Sequence, residues 1–291
     1  MTRVLVTGTG GQVGAATVQV LARTPAYEVL AADHATLDLA DRDSVEQVVT
    51  AFLPDAIVNC AAVTNVDRCE LEPDAAFAAN ALGVRHLAVA AARVGAHVVH
   101  VSTDYVFDGR AGRPYDEWDL VSPLSTYARS KLGGELELAR HARSWTVART
   151  AWVFGRRGHD FVQLVLDALA DPDGPVRFVD DQTGSPTYAP DLAEMLVRLA
   201  VERRPGLFHV VNAGHCTRYR LACDVAEIRG ADPSVLRTVT TAELGRPAPR
   251  PVFSALDTAA LRLSGLGPLR HYREALAEYV GEPDTARAVQ S

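Results

Sequence analysis

Through the first half of the chain, short apolar runs alternate with longer segments whose apolar positions recur at helical spacing. VLVTG (4–8), EVLAAD (28–33), AIVNCAA (56–62), HVVHVS (97–102) and WTVART (145–150) read as buried strands. VGAATVQVLAR (13–23) and AAFAANALGVRHLAVAAARVG (75–95) read as helices between them. Alternation of apolar runs with helical segments predicts βαβ units around a buried parallel sheet, and so an α/β fold.

After about residue 150 the regularity breaks at GRRGHD (155–160), ADPDGP (170–175) and QTGSPTYAP (182–190). Such Gly and Pro clusters predict loops that shape a pocket. DLAEMLVRLAVE (191–202) still reads as a helix and FHVVNAG (208–214) as a strand. The expected division is a nucleotide-binding core over 1–150 and a smaller lobe over 151–280, with segments returning to the core. GEPDTARAVQS at the end is poor in apolar groups, and residues 281–291 are expected to fray.

Composition narrows the function. A formal charge of −7 over 291 residues leaves no basic stripe for the phosphates of a nucleic acid, so none is expected as partner. Cys60, Cys69, Cys216 and Cys223 lack the close spacing of a zinc site or redox motif and read as thiols of a reducing compartment. MTRVLVTG runs straight into a strand without the pattern of a secretory leader, and no apolar run reads as long enough to cross a bilayer. A soluble, cytoplasmic protein with no membrane partner is expected. His209, His215 and Cys216 read as packed side chains, and no metal is assigned.

The first candidate site is TGTGGQVG (7–14), which follows the first strand and opens the first helix. Gly8, Gly11 and Gly14, three apart, suit a tight turn, a close approach of backbone to pyrophosphate, and a helix N-terminus facing an anion. Asp33, at the end of the second strand, stands near the spacing at which a carboxylate accepts hydrogen bonds from an adenosine ribose. The pattern predicts a dinucleotide, and with the alternating elements a Rossmann-type doubly wound parallel sheet with a smaller C-terminal substrate-binding lobe. Asp33 would repel a 2′-phosphate and leans toward NADH over NADPH.

The second candidate is STYARSK (125–131). Tyr127 and Lys131 are four apart and share a helix face, and an ammonium beside a phenol eases the proton's release. Taken alone, the spacing also fits ordinary helix surface. Upstream, the strand HVVHVS ends in Ser102, Thr103 and Asp104, at the strand end where an open parallel sheet binds ligands. Thr103 could hold a carbonyl against Tyr127, or simply cap the strand end.

In this order the motifs resemble the extended short-chain dehydrogenase/reductase superfamily, and in detail its dTDP-4-dehydrorhamnose reductase branch. The resemblance rests on GQVG (11–14), LDLAD (37–41), PDAIVNCAAVTNVDRCE (54–70), STDYVFDG (102–109), YARSK (127–131), RTAWVFG (149–155), DDQTGSPTYAPDLA (180–193), and RP with LDT (250–258). It implies hydride transfer from NADPH or NADH to the C4 ketone of a dTDP-4-keto-6-deoxy sugar. Tyr127 would donate the proton, Lys131 would hold the nicotinamide ribose, and Thr103, Asp104 and Trp152 would contact the sugar. Gly8, Gly11, Gln12 and Val13 would meet the pyrophosphate, Asp33 the ribose, Asp38 and Leu39 the adenine, and Ala61, Ala62, Val63 and Thr64 the cofactor's path. A monomer or homodimer is implied.

Two positions depart from the branch. Pro190 stands where some members carry a metal-holding glutamate, and Phe253 where a small polar residue is expected. Arg250 and the arginines of 155–160 suggest diphosphate contacts. The competing functions are a 4-ketoreductase of another dTDP-deoxysugar, for example of dihydrostreptose type, a non-catalytic regulatory subunit retaining the fold, and an epimerase or dehydratase.

Overall fold

The computed structural model describes residues 1–158, 160–170 and 177–281. Its first half runs β1 (Thr2–Thr7), α1 (Gln12–Ala22), β2 (Tyr27–Ala32), α2 (Arg42–Phe52), β3 (Ala56–Asn59), α3 (Val66–Leu71), α4 (Pro73–Phe77), α5 (Gly83–Val94), β4 (His97–Thr103), α6 (Thr126–His141) and β5 (Trp145–Thr150). A π-helical turn, Ala78–Leu82, joins α4 to α5. The second half runs β6 (Val153–Phe154), α7 (Phe161–Ala170), β7 (Arg177–Val179), β8 (Thr183–Gly184), β9 (Thr187–Tyr188), α8 (Ala189–Val201), β10 (Gly206–His209), β11 (Cys216–Thr217), α9 (Arg218–Arg229), β12 (Arg237–Val239), α10 (Thr241–Leu244), α11 (Ala259–Leu263) and α12 (Tyr272–Gly281).

Six strands form one sheet in the order β10-β5-β4-β3-β1-β2, with every pairing parallel. Side chains alternate across it. Val4, Val6, Val58, Val99 and Ala148 face α8 and α1 through Leu192, Leu196, Leu199 and Leu21. Leu5, Ile57, Val98 and Val147 face the opposite layer through Val45, Val49, Leu87 and Leu138 of α2, α5 and α6. Both faces are therefore covered, which explains why the inner strands read as apolar-rich runs. The chain leaves β1 for β2 on one side and resumes at β3 on the other, which opens a crevice beyond the carboxyl ends of β1 and β3.

α8 and β10 come from the second half yet complete this sheet, α8 against α1 and β10 beside β5. A separate apolar cluster gathers Phe154, Val162, Phe178, Leu221, Tyr272 and Leu276 from α7, α9, α12 and their neighbours. Residues 171–176, most of the ADPDGP turn, and the tail from 282 lie outside the described residues. One expectation needs correction. Pro73–Val94 is continuously helical over 22 residues and is long and apolar enough to cross a bilayer by length and composition. Half of it is buried in the fold, packed against α2 and α6.

Candidate active site

The glycine turn fits a phosphate because of what side chains would hit. Gly8 has φ +70°, and a Cβ there would lie 2.6 Å from the Ala61 backbone nitrogen; on Gly14 it would lie 2.4 Å from the Gly8 carbonyl oxygen. Both positions bring backbone against backbone and leave no room for a side chain. Gly11 caps α1 with no side-chain hydrogen bond. The first-turn N–H groups thus remain as donors at the positive end of the helix, which suits a diphosphate.

Asp33 follows β2 at the rim. Its Oδ1 accepts from Thr36 N (2.9 Å) and Thr36 Oγ1 (2.8 Å), and these hydrogen bonds hold its carboxyl below the usual range. Beneath the turn, the Asn80 amide clasps Val63, accepting from its N–H at 2.8 Å and donating to its carbonyl at 2.9 Å, while also donating to Ser130 Oγ at 3.0 Å. The π-turn that carries Asn80 thereby ties the segment after β3 to α6.

At the other end of the crevice, Ser125 caps α6 by accepting from Ala128 N (3.2 Å). Glu70 of α3 accepts from Thr126 N (2.6 Å) and Thr126 Oγ1 (2.7 Å). These contacts fix the first helical turn and with it Tyr127, which is half-buried with the Tyr105 ring edge-on at 6.1 Å. Burial pushes the Tyr127 phenol above its ordinary value, and the Thr103 hydroxyl beside it acts in the opposite direction. Lys131 is 2% exposed and donates to the Val101 carbonyl at 2.7 Å; burial lowers its pKa to about 8.

Thr103 Oγ1 donates to Asp104 Oδ1 (3.1 Å) and accepts from Tyr105 N (3.2 Å), so it caps the strand end as well as facing the cavity. Asp104 is buried, its Oδ2 accepts from Ser254 Oγ, and burial pushes its carboxyl up to about 6. Trp152 has a left-handed backbone (φ +44°), unusual for so large a residue. A Cβ on Gly184 would lie 2.4 Å from its indole, and the Arg218 guanidinium lies 3.6 Å from its ring centroid. Both neighbours hold the indole in place.

These groups line a single cavity of roughly 1130 Å³, more than one drug-sized ligand fills. Its wall contains Gly8, Gly11, Gln12, Val13, Asp33, Leu39, Ala61, Ala62, Val63, Thr64, Thr103, Asp104, Tyr127, Lys131 and Trp152. Asp38 lies between the lining residues Leu37 and Leu39 and is not itself part of the wall; its Oδ1 accepts from Ala40 N (2.9 Å) in its own turn. Arg250 is not part of that wall either, and its guanidinium pairs with both Asp67 oxygens at 3.0 and 2.9 Å. His209 and Cys216 are buried while His215 is exposed, and among the described residues no group of three metal-binding side chains comes together.

Asp160 went unread in the sequence. Its Oδ2 accepts from Gln12 Nε2 (3.2 Å) and Gly155 N (3.0 Å), and Arg157 Nη1 donates to Thr9 O (3.3 Å). The loop after β6 thus clamps the glycine turn across 148 residues of sequence. Residue 159 of that loop lies outside the described residues. No local pattern could have disclosed a partnership at such separation.

Residues 1–284 match the family described as RmlD substrate binding domain. The chain belongs to this family. Relatives of this RmlD-family chain include the dTDP-4-dehydrorhamnose reductase of Mycobacterium tuberculosis H37Rv, 44% identical over 99% of this chain and 95% of that protein. The spore coat polysaccharide biosynthesis protein SpsK of Bacillus subtilis is 42% identical over 98% of this chain and 99% of that protein. A solved dTDP-4-dehydrorhamnose reductase of Bacillus anthracis, in complex with NADP, superimposes with a TM-score of 0.92 at 34% identity, covering 97% of this chain and 100% of that one.

Proposed function

We propose that this RmlD-family protein is an NAD(P)H-dependent oxidoreductase that reduces the C4 ketone of a dTDP-4-keto-6-deoxy-hexose, with dTDP-L-rhamnose as product. The observation that carries the reading is the meeting of a side-chain-free phosphate cradle with Thr103, Tyr127 and Lys131 in one cavity. A reduced nicotinamide dinucleotide supplies the hydride when bound. Gly8, Gly11, Gln12 and Val13 hold its pyrophosphate and Asp33 its ribose. Leu39 packs against the adenine, and Ala61 to Thr64 line the path to the reacting end.

Tyr127 then protonates the developing alkoxide while Thr103 Oγ1 holds the carbonyl oxygen. Resting burial keeps the phenol firmly protonated, ready as an acid, and the Lys131 ammonium stabilises the phenolate left behind. Asp104 and Trp152 fix the sugar, with Ser254 and Arg218 as their supports. In this reading residues 1–150, with α8 and β10, form the cofactor-binding part, and the cluster around Phe154 and Tyr272 carries the substrate lobe.

A 4-ketoreductase of another dTDP-deoxysugar is the second reading. It is favoured by Phe253, whose ring meets His215 edge-on at 5.7 Å next to the Asp104 partner Ser254. The test is purified protein with dTDP-4-keto-6-deoxy-L-mannose and NADPH or NADH in separate cuvettes. Oxidation of the cofactor with formation of dTDP-L-rhamnose supports the first reading. Oxidation only with a different dTDP-keto sugar supports the second, and oxidation with neither substrate rejects both.

A further inference from the structure

We propose, building on the role given to Lys131 above, that Asn59 and His100 are positioning residues which present an N–H to the Lys131 amine and so make it hold its proton loosely. Asn59 ends β3 and His100 lies in β4; both are fully buried. The Asn59 Oδ1 accepts from Thr7 Oγ1 (2.6 Å) and from the Ala61 backbone N–H (3.2 Å). Because a backbone N–H only donates, it fixes which end of the amide is oxygen.

The Asn59 NH₂ therefore points at His100 Nδ1, 3.0 Å away, which must accept. A neutral imidazole that accepts at Nδ1 carries its hydrogen on Nε2. Nε2 lies 3.3 Å from Lys131 Nζ. An ammonium offers three donors and no lone pair, whereas the neutral amine has one lone pair to receive that hydrogen. Burial and the neighbouring lysine both keep His100 neutral, and an imidazolium, with a hydrogen on each nitrogen, would add to the clash. Turning the Asn59 amide over would set its NH₂ against the Ala61 N–H and lose that bond.

The other groups facing Lys131 can be weighed against this. Glu135, one turn further along α6, favours the ammonium, but both its oxygens are engaged by Arg149 of β5. Cys60, beyond β3, is held as the neutral thiol by burial, with Thr17 of α1 beside it. The Val101 carbonyl accepts from either form of the amine. Tyr127 stands one turn earlier and is protonated at rest. His100 thus acts with burial against Glu135, and Lys131 gives up its proton near pH 8. The ammonium that supports the Tyr127 phenolate is then withdrawn well below the pH expected of an ordinary lysine.

The test reads the network without substrate. In protein labelled at its imidazole nitrogens, the NMR signal assigned to His100 by its loss in His100→Gln should report the Nε2–H tautomer. The Lys131 Cε signal, assigned through Lys131→Met, should titrate upward by about one pH unit in His100→Gln, whose amide oxygen can accept from the ammonium. Asn59→Asp should act the same way, since a carboxylate draws the hydrogen to Nδ1 and leaves Nε2 a lone pair for Lys131. The basic limb of kcat/KM should move in parallel. An Nδ1–H tautomer in the parent protein overturns the proposal whether or not the variants fold. So does a Lys131 titration unmoved in both folded variants. Should the tautomer and the shifts appear in a protein that reduces no keto sugar, the reductase reading fails and the network assignment stands.

Discussion

Arg149 and Glu135 form a doubly hydrogen-bonded ion pair beneath the cavity, Nε to Oε1 at 2.9 Å and Nη2 to Oε2 at 2.6 Å, with both side chains nearly sealed from solvent. The pair joins β5 to α6, the helix that carries Tyr127 and Lys131. Ser102 Oγ donates to the same Glu135 Oε1 at 2.5 Å and brings the end of β4 into the cluster. Removing one charge leaves the other buried without compensation. Glu135→Gln should therefore cost about 3 to 5 kcal/mol of stability. Urea unfolding measures this directly, and an unchanged midpoint at unchanged slope would show that the pair carries little.

Replacing Tyr127 with phenylalanine removes one hydroxyl and leaves the glycine cradle untouched. Turnover should fall by about a hundredfold or more, the scale of a lost general acid, while cofactor affinity stays within a few fold. Steady-state rates beside a fluorescence titration with NADPH separate these effects. Retained turnover would remove Tyr127 from its assigned role.

Asp33→Asn keeps the Oδ1 that Thr36 uses but removes the charge facing a 2′-phosphate. The ratio of kcat/KM for NADPH to that for NADH should rise about tenfold, a modest change because the site is solvent-screened. An unaltered ratio would mean that Asp33 does not discriminate between the cofactors.

Lys131 makes the protein's stability depend on alkaline pH. Its folded pKa, about 8, lies below the unfolded value near 10.5, so the folded state favours the amine. Between these values the unfolded chain binds more protons at this site, and the Lys131 contribution to stability rises with pH. Below pH 8 the folded protein bears the full cost of the buried ammonium, on the order of 3 kcal/mol. Lys131→Met carries no such proton. Its stability advantage over the parent should be largest below pH 8 and shrink toward pH 10, as read by denaturant midpoints across that range. A constant difference would contradict the assignment.

The sequence disclosed features that depend on local pattern. Five of the six sheet strands coincide with apolar-rich runs, whereas β10 (Gly206–His209) shares only Phe208 and His209 with the run read as a strand, and in β2 at the sheet edge only Ala32 is buried. The glycine turn was legible because Gly8 and Gly14 answer to sterics within one turn and the strand beside it. Tyr127 and Lys131 were legible as a spacing, though the burial that lowers the lysine was not. What stayed hidden depends on distant partners: Asp160 with Gln12, Ser254 with Asp104, Arg250 with Asp67. Arg250 illustrates the difficulty. Its pairing with the Asp67 carboxylate through both terminal nitrogens joins residues 183 apart, which no local pattern discloses.

The most direct measurement follows the hydride itself. Protein, dTDP-4-keto-6-deoxy-L-mannose and nicotinamide cofactor deuterated at the transferable C4 position are incubated together, and the sugar product is examined by NMR. One deuterium is expected at C4 of the product sugar and none elsewhere, formed by the parent protein and nearly absent with Tyr127→Phe. Deuterium at another carbon, or a product formed without it, would contradict reduction at C4 as the reaction of this site.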